Sequence, residues 1–151
     1  MSDLKTRLNE EMKEAMKNGD ALKLSVIRML RSSIKNKEIE RGKGSSLNDQ
    51  EVMEVIVSGL KQRQDSIEQF AKGNREDLVA QEKKEVEILK AFLPLPLSET
   101  EVKNLIHQAI IETGAAGMKD MGKVMKALMP KILGRTDNAL VSKIVKESLS
   151  A

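Results

Sequence analysis

Apolar residues recur every three or four positions through most of this chain, and the gaps fall where helix-ending residues stand. Leu4, Leu8, Met12, Ala15 and Met16 mark one helical face, opened by Ser2 as a cap and closed by Gly19. Asp20 caps a second helix, LKLSVIRMLRSSIKNKEIER, whose apolar face holds Ile27, Leu30 and Ile34 and which Gly42 stops before the loop GKGSSL. Asn48 with Glu51 forms a capping box, and Leu47 with Val52 a hydrophobic staple, so a third helix starts there. It carries Val52, Val55, Ile56, Leu60, Ile67 and Phe70 and ends at Gly73. Asn74 is expected to cap a fourth, with Leu78, Val86, Leu89 and Phe92 turned inward.

The stretch FLPLPLS breaks this rhythm. Pro94 and Pro96 forbid a continuous helix and bias their neighbours to extended backbone. Ser98 with Glu101 then repeats the capping box, and Leu97 with Val102 repeats the staple. The fifth helix runs to about Thr113 and the loop GAAG. A sixth starts near Asp120, is disturbed at Pro130 and ends by Gly134. A seventh opens at Thr136 or Asp137 and carries Leu140, Val141, Ile144, Val145 and Leu149. The expected fold is all-α and multihelical: a four-helix N-terminal domain over 1–93, a Pro-rich hinge over 94–97 and a three-helix C-terminal domain over 98–151.

Composition narrows the chemistry. The 151 residues include nine Met but two Phe and no Trp, Tyr or Cys, so the core is aliphatic and Met-filled. Absent cysteines exclude disulfides, thiolate metal sites and thiol nucleophiles. No apolar run reaches the ~18 residues of a membrane span, and the first twenty residues alternate charge too often for a signal peptide. A cytoplasmic location without membrane contact is the expectation from these features.

Net charge is only +3, but it is unevenly spread. Within 115–135 five basic residues stand against Asp120 alone, in the run KDMGKVMKALMPKILGRTD. On a helical wheel Met121, Val124, Met125, Leu128 and Ile132 form one stripe, and Lys119, Lys123 and Lys126 fall on the opposite face. Lys131 and Arg135 extend the positive charge. Lysine is a good helix former and every surface helix needs charge, which is the plain explanation. Against it, the row is of one sign and lies in the N-terminal half, where the macrodipole disfavours cations by roughly 0.3–1 kcal/mol each. Such a row makes sense opposite an anion, and Gly122 would let a phosphate approach the first amides. Arg28, Arg31 and Lys35 make a weaker second basic surface; flanking a core face, they are open to pairing with carboxylates of a neighbouring helix. Glu82 and Glu85 with Arg63 are candidates for ion pairing of that kind.

No catalytic set assembles from these residues. Glu82 and Glu85 share a face but nothing separates their environments, as acid–base work requires. His107, the only histidine, points away from its helix's apolar stripe and has no companion ligand, so no metal site is expected. The glycines at 114, 117 and 122 lack the strand and Gly-Lys-Ser/Thr of a phosphate loop. No cofactor is implied. The scarcity of aromatics also removes base-stacking platforms, so any nucleic acid would be read through phosphates and shape, which favours folded RNA.

Several segments together resemble the YqeY family along essentially the whole chain: RMLRSSIKNKEIE, KQRQDSIEQF, GNREDLVAQEKKEVEILKAFLP, and DMGKVMKALMPKILGRTD followed by VSKIVKESL. That family is related to the tail domain of the B subunit of bacterial glutamyl/aspartyl-tRNA amidotransferase, and a similar module precedes some glutaminyl-tRNA synthetases. The resemblance implies an all-helical two-part module that holds tRNA by its outer side, away from the chemistry. Gly122, Val124, Met125 and Lys126 match the tail's Gly-x-Val-Met-Lys element, and Gly134 with Arg135 its following Gly-Lys. The spacing between these elements is longer here and includes Pro130, while Phe92 and Pro96 stand where the family usually has Tyr and Gln. An amidotransferase or ligase label would come by homology alone, because the subunit's catalytic residues lie in another domain. The reading is a non-catalytic accessory module binding tRNA or another folded RNA, with a tRNA-modifying or aminoacylating protein complex as a further candidate partner. The alternative is a helical protein-docking domain with a Met-rich patch.

Overall fold

The computed structural model describes residues 3–150, so the expected cap at Ser2 lies outside it. Every regular element among the described residues is helical: α1 (Asp3–Asn18), α2 (Ala21–Arg41), α3 (Asp49–Lys72), α4 (Glu76–Lys90), α5 (Glu99–Thr113), a 3-10 turn (Met118–Asp120), α6 (Met121–Ile132) and α7 (Asn138–Ser150). The residues gather in two compact units, Met1–Leu93 and Pro94–Ala151.

In the first unit α3 and α4 form the most extensive helix pair, and α1 and α2 pack beside them. The core joins Leu8, Ile27, Leu30, Val52, Ile56, Leu89 and Phe92, each at the helical spacing read from the sequence. Asp20 caps α2 by accepting from the Lys23 amide at 3.1 Å. Asn48 and Glu51 close their capping box, Glu51 N donating to Asn48 Oδ1 at 2.9 Å. Asn74 departs from expectation. It adopts φ 57 and α4 begins without a side-chain cap, Arg75 occupying the cap position. Asparagine tolerates this left-handed geometry, so the residue turns the chain out of α3 instead of starting α4.

In the second unit α5, α6 and α7 enclose Val102, Ile106, Ala109, Val124, Leu128, Ile132, Val141 and Val145. Glu101 N donates to Ser98 Oγ at 3.1 Å and Ser98 N to a Glu101 carboxylate oxygen at 3.1 Å, fixing the start of α5. Gly114 ends that helix at φ 66, where a β-carbon would be strained. Asp137 opens α7, its carboxylate accepting from Ala139 N at 3.0 Å.

Candidate nucleic-acid interface

The lysine run is built from the loop inward. Gly117 is fully extended, and the chain then closes the 3-10 turn with Asp120 N donating to Gly117 O at 2.9 Å. The Asp120 carboxylate accepts from Ala116 N at 2.9 Å and makes no hydrogen bond as a cap of α6. The helix expected from Asp120 therefore begins at Met121, and Lys119 rides on the 3-10 turn ahead of Lys123 and Lys126. The row spans two elements because the aspartate tightens the preceding loop.

Val124 and Leu128 are fully buried and Ile132 nearly so, which sets the rotation of α6. Lys119, Lys123 and Lys126 are exposed. None of the three makes an ion pair or hydrogen bond with the described residues. The first turn of α6 contains no acidic residue. Gly122 is exposed, and a β-carbon there would meet nothing within 4 Å. The start of α6 thus presents backbone and three ammonium groups with open approach.

The two flanking cations are engaged. Lys131 Nζ lies 3.7 Å from a Glu112 carboxylate oxygen, both side chains well exposed, a pairing that water and salt weaken. Arg135 Nε donates to Leu95 O at 3.0 Å, and Leu97 N donates to Arg135 O at 2.8 Å. Arg135 is therefore a fastener for the proline segment. Nothing in the sequence pattern pointed to this, because the two partners lie about forty residues away in a stretch without periodicity. Helix α6 continues through the exposed Pro130 to Ile132 and not beyond. The ring removes one donor, and the loss falls on the solvent side where it is cheapest.

Arg28, Arg31 and Lys35 all lie exposed on α2 in the first unit, outside the buried Ile27, Leu30 and Ile34. Arg28 and Lys35 have no partner among the described residues, and Arg31 Nη1 donates to Met12 Sδ at 3.0 Å. The carboxylates on α4 pair elsewhere: Arg63 Nη1 donates to Glu85 at 2.6 Å and lies 3.4 Å from Glu82. His107 is exposed. Among the described residues no group of carboxylates and histidine is placed to hold a metal, and no helix is long and apolar enough to cross a membrane.

Fold and surface together define a protein whose regular elements, among the described residues, are all helical and display cations to solvent. Residues 5–149 match the profile described as Yqey-like protein, and the chain belongs to the YqeY family. It is similar to the curated protein "Altered inheritance of mitochondria protein 41, mitochondrial" of Lachancea thermotolerans, 39% identical over 73% of this chain and 59% of that protein. The protein of the same name from Candida glabrata is 37% identical over 62% of this chain and 52% of its own length. That from Saccharomyces cerevisiae (strain YJM789) is 32% identical over 93% of this chain and 80% of its own. The chain spans between half and two thirds of the first three relatives' length.

These names overturn the expectation of a cytoplasmic location, since the relatives are mitochondrial by name. That expectation rested on two features, the lack of an apolar run of membrane length and the charge alternation of the first twenty residues. Neither feature identifies a compartment. Compartment is addressed by signals that receptors read, not by the packing of a core.

Proposed function

We propose that the protein is a non-catalytic module that binds folded RNA, most naturally tRNA, through the phosphate backbone. The observation that carries this reading is the set of three exposed lysines, one on the 3-10 turn and two on α6, that make no ion pair or hydrogen bond with the described residues. Buried Val124, Leu128 and Ile132 hold the helix from behind. Ammonium groups already neutralised by carboxylates would gain little from a polyanion; these three would release condensed counterions on contact. The open backbone at Gly122 supports close approach of a phosphate to the helix N-terminus. Lys131 would join by exchanging Glu112 for phosphate, and Arg28, Arg31 and Lys35 offer a secondary surface.

Three phosphate contacts give a log–log salt slope of about −2.7, so affinity should fall roughly forty-fold between 50 and 200 mM salt. The test is filter binding with total tRNA at both salts; because the relatives are named as mitochondrial, mitochondrial tRNA belongs in the comparison. K119E/K123E/K126E should abolish retention and flatten the salt dependence while the circular dichroism spectrum is unchanged. Unchanged retention in a folded triple variant would discard the reading. It would favour the protein-docking alternative, which has its own support in the exposed Met16, Met29 and Met118.

A further inference from the structure

Between α2, α3 and α4 lies a half-open cavity of about 240 Å³. Buried Ile56 and Leu89 form part of its wall, while Arg63 and Glu82 line its polar side and Met29 its edge. Its size falls between the ~150 Å³ that admits benzene and the ~300 Å³ where drug-sized pockets begin. That suits a molecule of about ten non-hydrogen atoms.

Two features give the cavity a chemical preference. First, one guanidinium serves two carboxylates. The shorter contact, 2.6 Å, goes to Glu85, which is 7% exposed, and the longer, 3.4 Å, to Glu82 on the cavity lining. The group carries one formal negative charge in excess, and Glu82 is the carboxylate less committed to Arg63. Second, Gly59 stands in the middle of α3 and lines the cavity. Its φ lies outside the left-handed region, and a β-carbon there would sit 3.7 Å from Leu89 Cδ1, an ordinary contact. Neither backbone nor packing requires glycine, and glycine inside a helix costs stability. What its small size does is keep the cavity free of side chain.

We propose that this cavity binds a small organic monocation, an ammonium or amidinium head on a compact apolar body, with the head on Glu82 and the body against Ile56 and Leu89. An anion is disfavoured because it would meet Glu82 on the lining, while the Arg63 guanidinium is already engaged at 2.6 Å by Glu85, which stands behind the cavity wall. The flexible, polarisable Met29 at the edge, with Arg63 Nη2 3.9 Å from its sulfur, can adjust to the body's shape.

The experiment is a titration of the full chain with 2-phenylethylammonium, followed by amide chemical shifts. The controls are 2-phenylethanol, of the same size but neutral, and 3-phenylpropionate, an anion. Saturable shifts at Ser33, Gly59 and Ser66 are expected with the ammonium, and the alcohol should bind at least tenfold more weakly. Glu82→Gln should weaken the ammonium about tenfold and leave the alcohol unchanged, since the Arg63–Glu85 pair persists. Gly59→Leu should remove both by filling the space, with Gly59→Ala as the variant that retains the fold. Equal binding of ammonium and alcohol, tighter binding of the carboxylate, or absence of saturable shifts would overturn the proposal.

Discussion

Glu38 on α2 gathers its neighbours onto one carboxylate: Lys5 Nζ donates to it, and Leu47 N does so at 2.8 Å. Lys5 Nζ also donates to Ser46 Oγ at 2.8 Å, so α1, α2 and the loop before α3 meet there. The Lys5 hydrogen bond, then that of the Leu47 amide, hold the Glu38 carboxyl below its ordinary value of 4.5, against a small opposing effect of burial. A depressed carboxyl contributes stability that is complete above the ordinary value and disappears as pH falls through the folded one. Lys5→Met should therefore raise the Glu38 midpoint toward 4.5 in a carboxyl-detected NMR titration and shrink the acid limb of stability. A midpoint unmoved by the substitution would mean that the lysine is not what sets it. The free lysines of α6 are the contrasting case. No hydrogen bond or ion pair with the described residues restrains them, and their use depends on what arrives from outside.

Helices were legible from sequence because their signals are local. The capping boxes at Asn48–Glu51 and Ser98–Glu101 are each satisfied within four residues, and both form. Ser98→Ala should cost about 1 kcal/mol of stability by removing the acceptor for Glu101 N, read as a lowered denaturant midpoint with unchanged slope. Ser98→Asp should restore it. Failure of the aspartate to rescue would show that the serine acts through packing. Where the reading missed, a non-local or competing bond decided. Asp120 had a choice between capping α6 and closing the loop onto Ala116, and periodicity does not distinguish these. Asn74 had a choice between cap and left-handed turn. Arg135 was read by its charge and its match to the family's Gly-Lys element, while the carbonyl of Leu95 that engages it became visible only in three dimensions. The exposed lysines were legible because a continuous apolar stripe fixes the opposite face of a helix.

At the scale of the molecule, the two cores consist of different residues: Leu8, Ile27, Ile56 and Phe92 belong to one, Val102, Leu128, Ile132 and Val145 to the other. We propose that each unit unfolds on its own. Leu128 is fully buried among α5, α6 and α7, so Leu128→Ala should cost about 2–5 kcal/mol through lost burial and an incompletely collapsed cavity. A unit of under sixty residues has only a few kcal/mol to lose, so most of its protection should go with that one side chain. Hydrogen exchange read by peptide locates the damage. Amides in 98–150 should exchange about thirty-fold faster or more, while those in 3–93 keep their rates. Uniform acceleration along the chain would instead establish one cooperative unit. The same variant separates fold from function, because the lysines of α6 stand only as firmly as Leu128 holds the helix beneath them. RNA retention should fall with Leu128→Ala even though no charge has changed, and should recover where low temperature or a stabilising osmolyte restores slow exchange in 98–150.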